Sequence, residues 1–507
     1  MILLISTGYQ AAMLNRPFER NPEGCGAFFG LLARNYFRYD WTATLGAPVM
    51  SMGQGAPAIF YANHPPSTPL LVAAVFGAFG YRGDYLSLPG DWQVRLPTML
   101  FTIGCIALIH WLLARRAGPR AGLLAATIFA CIPMTLIYGG FPDVINTQLV
   151  FFALLTVAAY ERFHTLQSPG SLTLLSLAML GAALMDWPAF YLVPVLGLHF
   201  VLSRPWRSWG WIAAFAAIAT AIFAVEYAYL AIANRDWYWM AWLLKRRALS
   251  NVADTAHQFG FTDWLVHAVW GFAVARHTIP ITLLAILWLV MAVVRRFGSP
   301  GDRFVGLLLA WAGLHVLVGR QGVYQHEWWW WPLTPVLVAA AALALDRILI
   351  GIQTRLPPQV ANVMVGVAVV ALGVWNGVRA VDELCNPPPI MPGPYNYSPK
   401  ELGELIRESA PPDAAVLLAE SDNSLPLWYY ADRALKRHVW TPESLKSRLI
   451  DQSVDLCFEV PQPWPGRATA LIIPRAYLPT LQALASDADQ HYARHETDRF
   501  VVYELNQ

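Results

Sequence analysis

Over the first 380 positions, long apolar runs alternate with short polar breaks, and the runs are too long and too uniformly apolar for the core helices of a water-soluble domain. They fall at about 93–114, 121–138, 146–160, 171–185, 188–203, 209–232, 278–294, 304–319, 329–345 and 359–378. Each is read as a membrane-spanning helix. The opening MILLISTGYQAAML is apolar but short of the roughly 20 residues a span requires. It lacks the basic start and small-residue cleavage site of a signal peptide, so it reads as a shortened first span. That makes about eleven spans. The stretch from Pro69 to Gly80 is shorter still and reads as a re-entrant or interfacial helix.

From about Asp382 the pattern changes. NPPPIMPGPYNYSP is a proline-rich linker, and an ordinary soluble sequence follows it. ELGELIRESA, LPLWYYADR, ESLKSRLI and YLPTLQALA have helical periodicity, whereas AAVLLAE, HVW, ATALIIP and RFVVYEL read as strands. This alternation predicts a small α/β domain with a mainly parallel sheet. The expected organisation is a membrane module over 1–380 and a soluble domain over 381–507. Neither a GxGxxG nor a Walker-type phosphate loop occurs in the tail, which argues against nucleotide binding there.

Composition agrees with the pattern. Only 13% of the 507 residues are charged, about half the share in soluble proteins. The net charge of +2 gives no reason to expect a nucleic-acid partner, so the placement of charge carries more information than its sum. With the short 69–80 stretch counted as non-spanning, Arg115, Arg116, Arg120, Arg162, Arg204, Arg207, Arg295, Arg296, Arg303, Arg347 and Arg355 all fall in loops on one face. The positive-inside rule makes that face cytoplasmic. The chain then starts inside and its soluble tail lies outside. Cys105 and Cys131 lie in apolar runs as inert residues, and Cys385 and Cys457 are a candidate disulfide in the tail.

The opposite face collects acids, histidines and tryptophans. In the loop from 15 to 92, Asn21 is a suitable N-cap, Pro22 a suitable first helical residue, and Glu23 sits in the first turn. The helix that follows has an apolar stripe and a basic face with Arg34 and Arg38, the pattern of a helix lying in a membrane interface. Asp143 in GGFPDVINT and Asp186 in MDWP interrupt apolar stretches at their outer ends. Trp237, Trp239 and Trp242 precede Lys245, Arg246 and Arg247, cations that the inside rule does not explain. RQGVYQHEWWWWP adds Arg320, His326 and Glu327.

Taken in order, these features resemble the polytopic GT-C glycosyltransferases, in particular the protein O-mannosyltransferases and bacterial aminoarabinose transferase (glycosyltransferase family 39). The resemblance is carried by the acid-opened helix running into Ala33-Arg34-Asn35 and Arg38-Tyr39, by Tyr61-Ala62-Asn63-His64-Pro65-Pro66 and the apolar segment ending in Phe79-Gly80, by Arg95-Leu96-Pro97, by Asp143, and by the aromatic motif from His326 to Pro335. One departure stands out: the family presents an Asp, often Asp-Glu, in the first outer loop, whereas this chain has Asn21-Pro22-Glu23.

The resemblance implies a GT-C membrane module with a small extracytoplasmic α/β domain in a bacterial inner membrane. It further implies sugar transfer from a polyprenyl-phosphate donor to an acceptor glycan, lipid or protein on the outer face, with inversion at the anomeric carbon. An acceptor hydroxyl is a poor nucleophile, so a carboxylate takes its proton: Glu23 is the candidate, with Glu19 as the substitute and Asp143 as the second catalytic acid. Candidates to stabilise the leaving phosphate are His64, Arg95, Lys245, Arg246, Arg247 and Arg320. Asn63, Asp186, His326 and Glu327 are candidate substrate contacts, and Glu23, Asp143 and His326 the candidate donors for a divalent metal ion. The competing expectations are a transporter or flippase of a lipid-linked sugar and an inactive lipid-binding relative. No internal repeat or broken span points to transport.

Overall fold

A computed structural model describes residues 2–19, 24–238, 241–242, 245, 259–385, 398–419, 425–436, 439–451, 453–454, 462–463 and 467–505. The chain divides into two compact units. One comprises Met1–Leu14, Ala62–Thr68 and Leu96–Pro387, and the other Asn15–Tyr61, Pro69–Arg95 and Pro388–Gln507.

The first unit is helical. Among the described residues six helices are long and apolar enough to cross a membrane: Asp91–Ala117, Thr147–Leu166, Trp206–Asn234, Pro300–Val318, Glu327–Gln353 and Pro358–Cys385. A seventh candidate is a pair, Phe261–His277 and Ile279–Val294, bent by 99°. The bend corrects the expectation of unbroken spans. It occurs at Thr278, whose φ of 71° is incompatible with continuing a right-handed helix, and Pro280 opens the second arm. Shorter apolar helices occupy Pro119–Cys131, Pro169–Met185 and Trp187–Ser203, and the first helix runs Ile2–Met13.

Local chemistry sets many of the boundaries. Proline occupies the first turn at Pro119, Pro133, Pro169 and Pro300, where its missing N–H costs no hydrogen bond. Asn146 and Ser299 cap their helices through side-chain oxygens, and Ser168 forms a capping box with Ser171. Helices approach closely where residues are small: a Cβ on Gly122 would lie 2.6 Å from the His110 carbonyl oxygen. The arginines of the basic loops pair with acids near other helix ends, Arg116 with Glu161, Arg120 with Asp346, and Arg347 with Asp302. Ion pairs therefore tie the basic loops of the helical unit to neighbouring helices.

The second unit joins segments that are far apart in sequence. Its sheet has the order β2-β1-β3-β5-β4, with β1 at Ala415–Leu418, β2 at Ala434–Lys436, β3 at Ala468–Pro474, β4 at Ala493–Glu496 and β5 at Phe500–Glu504. β1 pairs in parallel with β2 and β3, whereas β5 pairs antiparallel with β3 and β4. The sheet is mixed rather than mainly parallel. The strand that sequence reading missed, β4, has four exposed residues and no apolar alternation to reveal it. The expected HVW strand is displaced to Ala434–Lys436.

The helix Gly24–Asn35 corrects a second expectation. It is buried on every side except Cys25, not laid in an interface. Its Arg34 guanidinium is fully buried and pairs with Asp432 at 2.8 Å, so what reads as a basic face is an internal ion pair.

Candidate functional site

In the helical unit the structure gathers polar groups from four sequence-distant segments. His64 lies in a bend of the Ala62–Thr68 segment just before Pro65-Pro66, and the proline that follows restricts its backbone. Its Nδ1 lies 2.7 Å from Asp186 Oδ1, and both side chains are buried. Asp186 ends the Pro169–Met185 helix in an extended conformation, with its N–H bonded to the Ala182 carbonyl. Two further bonds clamp the segment: Trp187 Nε1 donates to the Asn63 carbonyl at 3.2 Å and Asn234 Nδ2 to the Ala62 carbonyl at 2.7 Å. Sequence placed the adjacent Asn63 and His64 in one loop and Asp186 in another, and the fold makes them neighbours. Asn63 contributes its backbone carbonyl to this clamp.

The same polar zone continues through Thr68, whose hydroxyl reaches the Asp143 carbonyl at 3.5 Å. The Asp143 carboxylate turns back onto its own loop and accepts from the N–H groups of Val144 and Ile145, as an Asp at the start of a turn does. Asn146 ties this loop to the Phe141 carbonyl. Beyond it, the Tyr138 hydroxyl donates to Glu327, and Arg276 bridges Glu327 and Glu383. The tryptophan run is a packed structure: His315 Nε2 bonds the Trp329 carbonyl at 2.9 Å, the rings of His326 and Trp328 stack at 4.8 Å, and Trp329, Trp330 and Trp331 are buried. Arg320 and His326 are half-buried beside it.

Glu226 was missed. It is the one acidic or basic side chain in the apolar helix Trp209–Asn234, and that isolation was a readable signal. It is 8% exposed, and neither carboxylate oxygen has a hydrogen-bond partner. Phe223, one turn earlier, packs on Trp187 at 5.9 Å, and Asp186 lies within electrostatic range of Glu226. Tyr138 and Arg276 were missed as well, since nothing local marks a tyrosine or an arginine as an ion-cluster member.

The second unit holds Glu19 and Arg95. Glu19 is half-buried. Arg95 is buried, stacks over Phe18 at 4.0 Å and donates to the Arg16 carbonyl, so its guanidinium is engaged in fixing the 16–18 segment. Ala33-Arg34-Asn35 is structural too: Asn35 Nδ2 donates to the carbonyls of Val49 and Ser51, both at 2.8 Å, and Arg34 donates to the Tyr429 carbonyl. Arg38 binds both oxygens of Asp432 and the Asp84 carbonyl. Burial disfavours the Arg38 charge, but Asp432 outweighs it and holds that guanidinium above its ordinary pKa. Burial pushes the Tyr39 and Tyr81 hydroxyls up to about 12.

Glu23, Arg246 and Arg247 lie outside the described residues, as does Cys457; Lys245 is described and exposed, and Cys385 is an exposed free thiol. Among the described residues no three His, Cys, Asp or Glu side chains are placed to hold a metal ion. His326 and Asp143 therefore show no metal-binding arrangement here.

Residues 63–229 match the family model for dolichyl-phosphate-mannose-protein mannosyltransferase. No curated protein matches the sequence. Among solved structures, ArnT from Cupriavidus metallidurans bound to undecaprenyl phosphate superposes with a TM-score of 0.65 at 15% identity, over 99% of this chain and 97% of that one. The Archaeoglobus fulgidus oligosaccharyltransferase in complex with Zn and sulfate superposes with a TM-score of 0.56 at 12% identity, over 99% and 73%. The AglB structure from the same organism with an inhibitory peptide and a dolichol-phosphate gives 0.54 at 10% identity, over 100% and 74%. At these identities the likeness is one of fold, and it extends over the whole chain. The chain is a polytopic membrane protein with the GT-C glycosyltransferase fold.

Proposed function

We propose that the protein is an inverting glycosyltransferase that moves a sugar from a polyprenyl-phosphate donor to an acceptor glycan, lipid or protein. It works at the outer face of a bacterial inner membrane, with the C-terminal α/β domain extracytoplasmic. The observation that carries the reading is the buried His64–Asp186 pair, because it places a histidine with its counter-ion in the segment matched to the mannosyltransferase family model. Two structural relatives were solved with undecaprenyl phosphate and with dolichol-phosphate, which supports a lipid phosphate as the ligand.

In this reading Glu23 accepts the proton of the acceptor hydroxyl as its oxygen attacks the anomeric carbon. The bond to the phosphate oxygen breaks, and polyprenyl phosphate leaves with the electron pair. His64 stabilises the charge gathering on that phosphate, in a site where burial strengthens the interaction. Arg320, Lys245, Arg246 and Arg247 remain candidate phosphate contacts, and Glu327 and His326 candidate sugar or acceptor contacts. Arg95 is less suited, since its guanidinium is already engaged. No step is assigned to a metal ion.

The test is release of polyprenyl phosphate from labelled polyprenyl-phosphate sugars by the purified full-length protein in liposomes. Glu23→Gln should lower the rate by roughly 10²- to 10⁴-fold. Unchanged release in that variant would remove Glu23 from the mechanism, and no release from any donor would remove the assignment. The 99° bent pair is the observation that favours transport, because broken spans line transporter sites. Movement of the intact lipid-linked sugar between leaflets without its cleavage would select that reading.

A further inference from the structure

We infer that Asp186 is a positioning residue that acts through His64: it fixes the proton on Nδ1 and supplies the counter-charge that lets the ring present a second, cationic N–H at Nε2 to a lipid phosphate. The inference rests on the proposed role of His64 and adds a residue that acts through that ring.

Four features support it. Asp186 Oδ1 and His64 Nδ1 are 2.7 Å apart, a charge-assisted hydrogen-bond distance. The Asp186 side chain has no solvent exposure, and its Oδ2 is buried without a partner. A carboxylate in that position is costly to bury alone, and the imidazolium is the compensating charge. Which imidazole nitrogen carries the permanent proton is set by the bond made at the other one, so an acceptor at Nδ1 leaves Nε2 as the working atom.

Both partners are also held from behind. Pro65-Pro66 stiffen the chain after His64, the bonds from Trp187 and Asn234 fix the two carbonyls before it, and the Asp186 N–H closes the end of its helix. The acid facing Asp186 is Glu226 on the neighbouring helix, whose two oxygens lack partners at 8% exposure. Asp143 is the next acid along, but its carboxylate is turned onto its own backbone.

The test is the affinity of the purified full-length protein for polyprenyl phosphate itself, in two backgrounds. With His64 present, Asp186→Asn should weaken binding roughly 10- to 100-fold, the range of one charge-assisted hydrogen bond. With His64→Lys the side chain is a permanent cation with no tautomer to fix, and adding Asp186→Asn should change affinity less than about threefold. Equal losses in both backgrounds would make Asp186 a fold residue and overturn the inference. Failure of the Asp186→Asn variants to fold in both backgrounds would do the same. His64→Gln separates the two readings: unchanged affinity in that variant removes His64 from phosphate binding. A loss with His64→Gln but none with Asp186→Asn removes only the role of Asp186.

Discussion

Asp432→Asn is the substitution whose cost the structure specifies best. Asp432 sits at 0% side-chain exposure between two guanidinium groups, Arg34 at 2.8 Å and Arg38 at 2.7 Å, themselves 0% and 1% exposed. Asparagine keeps the shape and one carbonyl oxygen, and it tolerates the left-handed φ of 46° at this position, so backbone strain is not introduced. What is lost is the negative charge, which leaves two buried cations facing each other. Removing one partner of a buried pair costs roughly 3–5 kcal/mol. For a unit of roughly 200 residues each kcal/mol corresponds to about 2–4 °C, so the melting temperature should fall by about 6–20 °C. Intrinsic fluorescence in detergent reports the transition, because Trp428 is buried four residues away. Adding Arg38→Met should recover part of the loss by removing one of the stranded charges. A melting temperature within about 2 °C of the parent would refute the reasoning, since it would mean that the triad contributes no net charge compensation.

Arg276→Met leaves Glu327 and Glu383 without their shared cation; because these side chains are 18% and 33% exposed, the expected loss is roughly 1–2 kcal/mol, read as a lower melting temperature that Glu327→Gln with Glu383→Gln restores. Tyr39 and Tyr81 should ionise late in a phenolate absorbance titration. Their folded values lie near 12 against an ordinary 10, so their stabilising contribution is complete below pH 10 and disappears as pH rises towards 12. Early titration of both at their ordinary value would contradict the burial seen. Glu226→Gln keeps size and removes a carboxyl with no partners, so it should leave the melting temperature unchanged or raised, and a clear drop would mean that its charge is structurally required.

The helical plan was readable because span length and apolar runs are set by local composition, and the arginines marked one face before any contact was known. The fate of particular polar residues was not readable. Arg34 looks like an interfacial cation in its own helix, and only its partner at position 432, almost 400 residues away, shows it to be an internal ion. The mixed sheet was misread because β4 is exposed and lacks the alternation that betrays a half-buried strand. His64 and Asp186 were each singled out, yet their pairing depends on a contact across 122 positions. Glu226 shows the reverse case, a local signal that went unused: one acid in an apolar helix is informative on its own.

The most direct measurement is a density map of the full-length protein with polyprenyl phosphate bound. The phosphate is expected within hydrogen-bond distance of His64 Nε2, with the Asp186 contact at Nδ1 intact. A phosphate seated away from His64, or a His64 ring turned so that Nδ1 no longer meets Asp186, would contradict the proposed role of the pair.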